Sequence, residues 1–290
     1  MIRAACIQLC ASDDVAANLR SATALIREAR GQGAGFITTP ENTNLMASGK
    51  AAKLEKTYSE ADDPSLPAFR ALAEELAIWL LIGSLAIKVS ESKTANRSFL
   101  ISPDGSIAAR YDKIHLYDVD LANGERYRES NTVAGGDRAV TADLPFGRIG
   151  LTVCYDLRFP HLYRTLAHHG AFLLTVPAAF TETTGKAHWH VLLRARAIEN
   201  GAFVLAPAQC GIHPNGRCTY GHSLIVSPWG EVLAEAGDTP GVILADIDPA
   251  RSTAARAQIP SLCHDRAFGL GDRADLAEAQ VWAENSQEKG

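Results

Sequence analysis

At 290 residues, with 47% apolar and 21% charged side chains, the chain has an ordinary soluble globular composition and length for one large domain or two small ones. A formal charge of -5, with no lysine and arginine cluster interleaved with aromatics, leaves no footprint for nucleic acid, and none is expected as a partner. The apolar start Met1–Cys10 is too short, and too soon broken by Gln8 and Asp13, to be a leader or a spanning helix; it reads as a first strand, and no membrane partner is expected. Six scattered cysteines without dense spacing point to reduced thiols and a cytoplasmic setting rather than a disulfide framework.

In chain order, apolar runs bounded by Gly, Pro, Asn or Asp predict strands over 2–9, 35–39, 79–89, 97–102, 148–154, 171–177, 202–208, 222–227, 231–236 and 241–247. Between the first two, Val15, Leu19, Ala22, Ile26 and Ala29 share one helical face that ends at Gly31-Gln-Gly33, which makes a β-α-β unit. Further helices are expected over 65–78, 158–169, 187–200 and 249–258, the last with Asp248 as cap and Pro249 in its first turn. Helices and strands alternate with no linker, repeat or low-complexity stretch, so one α/β domain over 1–271 is the economical reading. Residues 272–290 form a polar tail that is mobile or docks on a partner subunit.

Three places carry chemistry. Cys154 closes the apolar run Arg148–Cys154 and opens onto Tyr155-Asp-Leu-Arg-Phe-Pro160, a strand turning sharply into a helix. A thiol there is exposed, and N–H groups at the turn stabilise negative charge on it or on an attacked carbonyl. Glu41 follows Pro40 at the carboxyl edge of a strand, where α/β folds collect catalytic groups. Lys113 sits inside a short apolar segment, where an ammonium beside a thiol keeps it ionised and stabilises an oxyanion. Each has a plainer reading when taken singly: a buried structural cysteine, an exposed loop acid, a solvated strand-edge lysine.

The three residues in this order, with Pro40-Glu41-Asn42, Asp112–Leu116, Glu129–Gly135, Gly150–Pro160, His188-Trp189, Arg194–Asn200 and Tyr220–Ser223, resemble the carbon–nitrogen hydrolases of the nitrilase superfamily over nearly the whole chain. The resemblance implies a four-layer α-β-β-α sandwich, homodimerisation, and no metal or organic cofactor. It implies Glu41 as general base, Lys113 as oxyanion stabiliser, Cys154 as nucleophile and Glu129 as the acid that orients Lys113 and substrate. Tyr155, Arg158 and Phe159, just past the thiol, fall to the substrate, with the Tyr155 N–H as a second oxyanion donor. Arg158 is read as an anion clamp or, equally, as a structural arginine tied to a carboxylate.

The stretch Ala206–Ser223 is most similar to the branch that hydrolyses deaminated glutathione; the alternative is the omega-amidase branch acting on α-ketoglutaramate and α-ketosuccinamate, with other aliphatic amidases and nitrilases behind it. The implied partners are a small amide and water. His161, Lys186 and His190 depart from the family pattern and are expected to add positive charge near the site mouth. Two rival readings stand beside this one: a thiol–imidazole pair using His188 or His190, and a zinc-stabilised module built on Cys210, His213, Cys218 and His222.

Overall fold

A computed structural model describes residues 1–269 except 48, 123 and 215; the expected tail over 272–290 lies outside the described residues. Two sheets face each other. The first runs Gly241–Ile247, Ile2–Gln8, Phe36–Thr38, Trp79–Lys88, Thr94–Ile101, Ile107–Asp112, with Val133–Ala134 joined alongside Thr94–Ile101. The second runs Val232–Glu235, Leu224–Val226, Phe203–Ala206, Leu173–Thr175, Gly147–Leu151, Val140–Leu144. At the heart of each, three strands lie parallel: 2–8, 36–38 and 79–88 in one, 147–151, 173–175 and 203–206 in the other. Parallel strands need both faces covered, and here each sheet has a helix layer outside and its fellow sheet inside.

The strand period of two assigns each side chain to a layer. In Ile2–Gln8, Ala4 and Cys6 join the core shared with the second sheet, whereas Ala5 and Ile7 join the core formed with the outer helices. The helices Val15–Gly31 and Ser65–Leu76 supply Ala22, Ile26, Phe69 and Leu72 to that outer core. On the other side, Pro160–His168 and Glu182–Asn200 press Leu162, Leu166, Trp189, Leu193 and Ala197 onto the second sheet. The result is the expected α-β-β-α sandwich.

Helix ends follow local chemistry. Asp14 caps the first helix through the Ala17 N–H at 3.0 Å, and Asp248 caps Pro249–Gln258 through the Ala250 N–H at 3.0 Å. The helix expected from 187 begins at Glu182 and runs through Gly185, where a Cβ would lie 2.3 Å from Cβ of Tyr220. The helix expected from 158 starts at Pro160, behind a single 3₁₀ stretch over Cys154–Arg158. Unanticipated elements are short or half-exposed: Lys50–Glu55 with no buried residue, strands Ile107–Asp112 and Val140–Leu144, and the hairpins Asp118–Asp120 with Arg126–Arg128 and Cys210–Ile212 with Cys218–Tyr220. None offers a long apolar period for pattern reading to detect. Among the described residues no helix is long and apolar enough to cross a membrane, and all six cysteines are free.

One close approach joins the two sheets at the site. A Cβ on Gly83 would fall 2.0 Å from the Thr39 carbonyl oxygen, 2.7 Å from that of Pro40 and 2.5 Å from Cβ of Pro177. Glycine is the residue that lets the segment leading to Glu41 pass against the one that supports Cys154. Gly83→Ala is expected to cost about 3 kcal/mol or more, seen as a lowered Tm, and to reduce turnover beyond what the lost stability explains. Wild-type activity and Tm in this variant would show that the approach is not a constraint.

Candidate active site

Glu41, Lys113 and Cys154 each follow the carboxyl end of a strand: Phe36–Thr38, Ile107–Asp112 and Gly147–Leu151. They meet, with Glu129, in the wall of one cavity of about 470 Å³. Glu41 is 3% exposed and Lys113 2%. The Lys113 Nζ donates to Glu41 Oε1 at 2.9 Å and to Glu129 Oε2 at 2.8 Å. An ammonium has three donors, so one remains for a group in the cavity.

Each member is held from behind. Glu41 Oε1 also accepts from Asn96 Nδ2 at 2.8 Å, and Oε2 from the Ala179 N–H at 2.8 Å. Its carbonyl accepts from Gln209 Nε2 at 2.9 Å. Glu129 Oε2 accepts from the Tyr117 N–H at 2.7 Å. Cys154 has φ of 51°, a left-handed conformation rare for a residue with a side chain, and its N–H donates to the Pro177 carbonyl at 2.9 Å. The turn that follows leaves the Tyr155 N–H without a backbone partner among the described residues, as first-turn N–H groups are.

Asp156, fully buried, ties the thiol's turn to the lysine's strand. Its Oδ2 accepts from the Val153 N–H at 2.8 Å and the Tyr111 hydroxyl at 2.6 Å, and its Oδ1 accepts from the His115 N–H at 3.0 Å. Sequence reasoning passed over Asp156, Asn96 and Gln209, because an isolated Asp, Asn or Gln carries no spacing signal; only burial separates them from loop residues.

Charge distribution decides the protonation states. For Glu41, burial alone favours the neutral acid, but Lys113 and the Cys154 thiol, which donates to the carboxylate, together hold its pKa below the ordinary value. For Lys113, burial works against the ammonium, and Glu129 and then Glu41 outweigh it, so its pKa lies well above the usual range. Burial first, and the Glu41 carboxylate second, push the Cys154 thiol far up, with Lys113 opposing by less. The sequence reading expected an exposed thiol kept ionised by lysine. The structure instead buries the thiol, 6% exposed, with its pKa raised and that of the facing Glu41 lowered, so the carboxylate can take the proton when the sulfur attacks.

The other expected residues divide. Tyr155 lines the cavity; Arg158 and Phe159 are absent from its lining. Arg158 packs over the Tyr155 and Phe180 rings and lies 3.3 Å from His188 Nδ1, while Phe159 stacks on His115 at 3.5 Å. His161, Lys186 and His190 are likewise absent from the lining; Lys186 pairs with Glu182 at 2.6 Å, and His161 packs edge-on against His115. Among the described residues no histidine lines the cavity, which speaks against the thiol–imidazole arrangement. Nor do the four residues of the expected zinc set converge: His213 is engaged by the Ala11 carbonyl and Thr219, each at 2.7 Å, and Cys210 is buried. Besides Lys113, the cations that line the cavity are Lys50, Lys53, Arg126, Arg128 and Arg217, from the short helix and hairpin segments that pattern reading missed.

The carbon–nitrogen hydrolase family matches residues 3–257. The chain belongs to that family. This hydrolase acts on carbon–nitrogen bonds other than peptide bonds. It is 43% identical over 265 residues to the deaminated glutathione amidase of Synechocystis sp., covering 90% of this chain and 97% of the relative. It is 38% identical over 259 residues to omega-amidase NIT2 of Homo sapiens, covering 89% and 92%. Among solved structures, the C. elegans NitFhit protein superposes with a TM-score of 0.86 at 35% identity, over 91% of this chain and 65% of that longer one. Saccharomyces cerevisiae Nit3 gives 0.82 at 30% identity, over 92% and 97%. A variant of the amidase from Nesterenkonia sp. AN1, with TM-score 0.76 at 27% identity over 90% and 98%, carries acrylamide added to its active-site cysteine.

The protonation states fix the pH profile of the hydrolase. The reading of Glu41 as base and Lys113 as oxyanion donor requires Glu41 ionised, with a lowered pKa, and Lys113 protonated, with a raised one; on it, kcat/KM falls only as pH drops through the lowered value or rises above the ordinary lysine range. Turnover is therefore expected to be level from about pH 5 to about pH 9. Linkage has the same signs. The stabilisation from Glu41 is present above its unfolded pKa and lost on acidification through the folded one, and that from Lys113 is present below its unfolded pKa and lost as pH rises through the folded one. A bell centred on an ionisation near pH 7 would contradict this charge arrangement.

Proposed function

We propose that the chain hydrolyses the amide of a small α-keto-acid amide through a cysteine thioester, with deaminated glutathione as the preferred substrate. The observation that carries the reading is the buried juxtaposition of Cys154, Glu41 and Lys113 on the floor of a cavity of about 470 Å³, within the range of pockets that enclose a ligand of drug size. The identities to relatives named deaminated glutathione amidase and omega-amidase support it.

In this mechanism Cys154 attacks the amide carbon as its proton passes to Glu41. The oxyanion is held by the third N–H of Lys113 and by the Tyr155 N–H, each such donor contributing about 3 kcal/mol. As the tetrahedral adduct collapses, Glu41 gives its proton to the departing nitrogen. Ammonia leaves from a primary amide and an amine from a substituted one. Water then loses a proton to Glu41 and attacks the thioester; collapse releases the acid, and the proton returns to the sulfur. Glu129 holds Lys113 in line and balances its charge throughout. No metal or organic cofactor takes part.

A keto-acid substrate brings a carboxylate, and the cavity wall supplies cations. Lys53, half-buried on the cavity wall, has its pKa lowered by desolvation, with Glu129 and Glu41 partly restoring it, so a bound carboxylate adds a counter-charge to that ammonium. The Arg217 guanidinium lies over the Tyr127 ring at 5.3 Å on the same wall. These take the clamp role that the sequence reading gave to Arg158; Arg158 and Phe159 act on the substrate only through Tyr155, against which both pack. Deaminated glutathione is much longer than α-ketoglutaramate and carries a carboxylate at each end, which suits a roomy cavity with cations from separate segments. The catalytic unit is taken to be residues 1–271, and the enzyme a cytoplasmic homodimer.

Cys154→Ala, Glu41→Gln and Lys113→Ala are each expected to lower turnover by at least about 10³-fold; near-full activity in Cys154→Ala would refute the mechanism. Release of α-ketoglutarate from deaminated glutathione and from α-ketoglutaramate, compared by kcat/KM, should favour the former by more than about tenfold, and a reversed preference makes the enzyme an omega-amidase. Lys53→Met should raise KM for both keto acids by at least about tenfold and leave that for an uncharged aliphatic amide unchanged. An equal effect on charged and uncharged amides would remove Lys53 from carboxylate recognition.

A further inference from the structure

Of the four residues that the sequence offered as a zinc set, His222 does stand in a cluster with metal-ligand spacing, but with different partners. His190, His222 and Glu235 each offer one ligand atom, and those atoms lie within 4.8 Å of one another. Glu235 Oε1 receives both rings, 3.0 Å from His190 Nε2 and 2.9 Å from His222 Nδ1. We propose that these three side chains form a binding site for a divalent first-row transition metal, Zn²⁺ by preference, apart from the catalytic cavity.

The donor set is two imidazoles and one carboxylate, which suits this class of cation and leaves a position for water. All three side chains are about one-third exposed, at 34%, 28% and 37%, so the cation has an approach and the open position a solvent face. Each ring nitrogen now facing Glu235 becomes a ligand when its proton sits on the other ring nitrogen, so neutral histidines bind the ion without net proton release. A cation about 2.0–2.1 Å from each nitrogen needs the ring nitrogens only slightly farther from Glu235 Oε1 than the 3.0 and 2.9 Å at which they stand.

The ligands are also preorganised: two come from regular elements, and the third from a tightly held loop between Cys218–Tyr220 and Leu224–Val226. His190 stands in the middle of the helix Glu182–Asn200, and Glu235 ends the strand Val232–Glu235. His222 has φ of 53°, left-handed without being glycine, a strain that persists only where the surroundings enforce it. They do so here on three sides. Its N–H donates to the Gly237 carbonyl at 3.0 Å, its carbonyl accepts from Trp189 Nε1 at 2.8 Å, and its ring stacks on Tyr220 at 4.3 Å. A bound ion would clamp the helix to the edge of the second sheet. That clamp lies next to Trp189, which packs at 4.8 Å on Phe180, a residue of the cavity wall.

The test is a Co²⁺ titration of the reduced full-length protein, followed by visible absorption and by competition with Zn²⁺. A weak d–d spectrum saturating at one equivalent, without thiolate charge transfer, displaced by Zn²⁺ and lost in His190→Gln and Glu235→Gln, is expected. Zn²⁺ at about a hundredfold over its Kd should raise Tm by roughly 5 °C in the wild type and not in these variants. Amidase turnover of the untreated variants, equal to wild type, shows that they are folded. No spectrum with Co²⁺ in about hundredfold excess, a thiolate charge-transfer band in its place, or binding unchanged by both substitutions would overturn the proposal.

Discussion

The site rests on a buried ammonium held between two carboxylates. Taking a charge of either sign out of water is expensive unless it is paired and hydrogen-bonded. Lys113 is tolerable inside because Glu41 and Glu129 face it at 2.9 and 2.8 Å. Burial first, and the Glu41 carboxylate second, keep the proton on Cys154, whereas the Lys113 ammonium keeps Glu41 below the ordinary carboxylate range. Lys53 and Arg217 stand on the neighbouring wall. The protonation states thus follow from burial and one charge arrangement.

That arrangement needs three distant stretches of chain to converge, and the sandwich supplies the convergence. The parallel strands of both sheets direct their carboxyl ends to the same side, so the residue just past each strand faces the residue just past another. Gly83 allows the two sheets to touch there, and Asp156 links the thiol's turn to the lysine's strand by backbone and side-chain bonds. Both Asn42 and Cys154 adopt left-handed backbone, with φ of 55° and 51°. Strained links thus stand on either side of the thiol–carboxylate contact, held by the packing around them.

Much of the architecture was legible in the sequence because buried parallel strands are unbroken apolar runs and the large helices have one apolar face. The strands at 2–8, 79–88 and 241–247, and the helices from Val15, Ser65 and Pro249, stand where the periodicity set them. Glu41, Lys113, Glu129 and Cys154 were legible as an ordered set of motifs, and they do share one cavity. The cavity wall was not. Lys50–Glu55 buries nothing, and the Arg126–Arg128 and Cys218–Tyr220 strands are three residues each, too short for either period to register. Arg158 was misread for the opposite reason. It is close to the thiol in sequence, but it packs over the Tyr155 and Phe180 rings that line the cavity and is not itself in the lining.

The floor of the cavity therefore grows from core strands, whereas its wall grows from brief polar excursions between them. A substitution at Lys53, Arg126 or Arg217 leaves the sandwich core as it is; one at Gly83 or Asp156 does not. Such a division lets a lineage exchange one amide for another by editing peripheral turns while the reacting centre is inherited intact. Divergence of substrate among relatives with a common fold is the outcome that this layout favours.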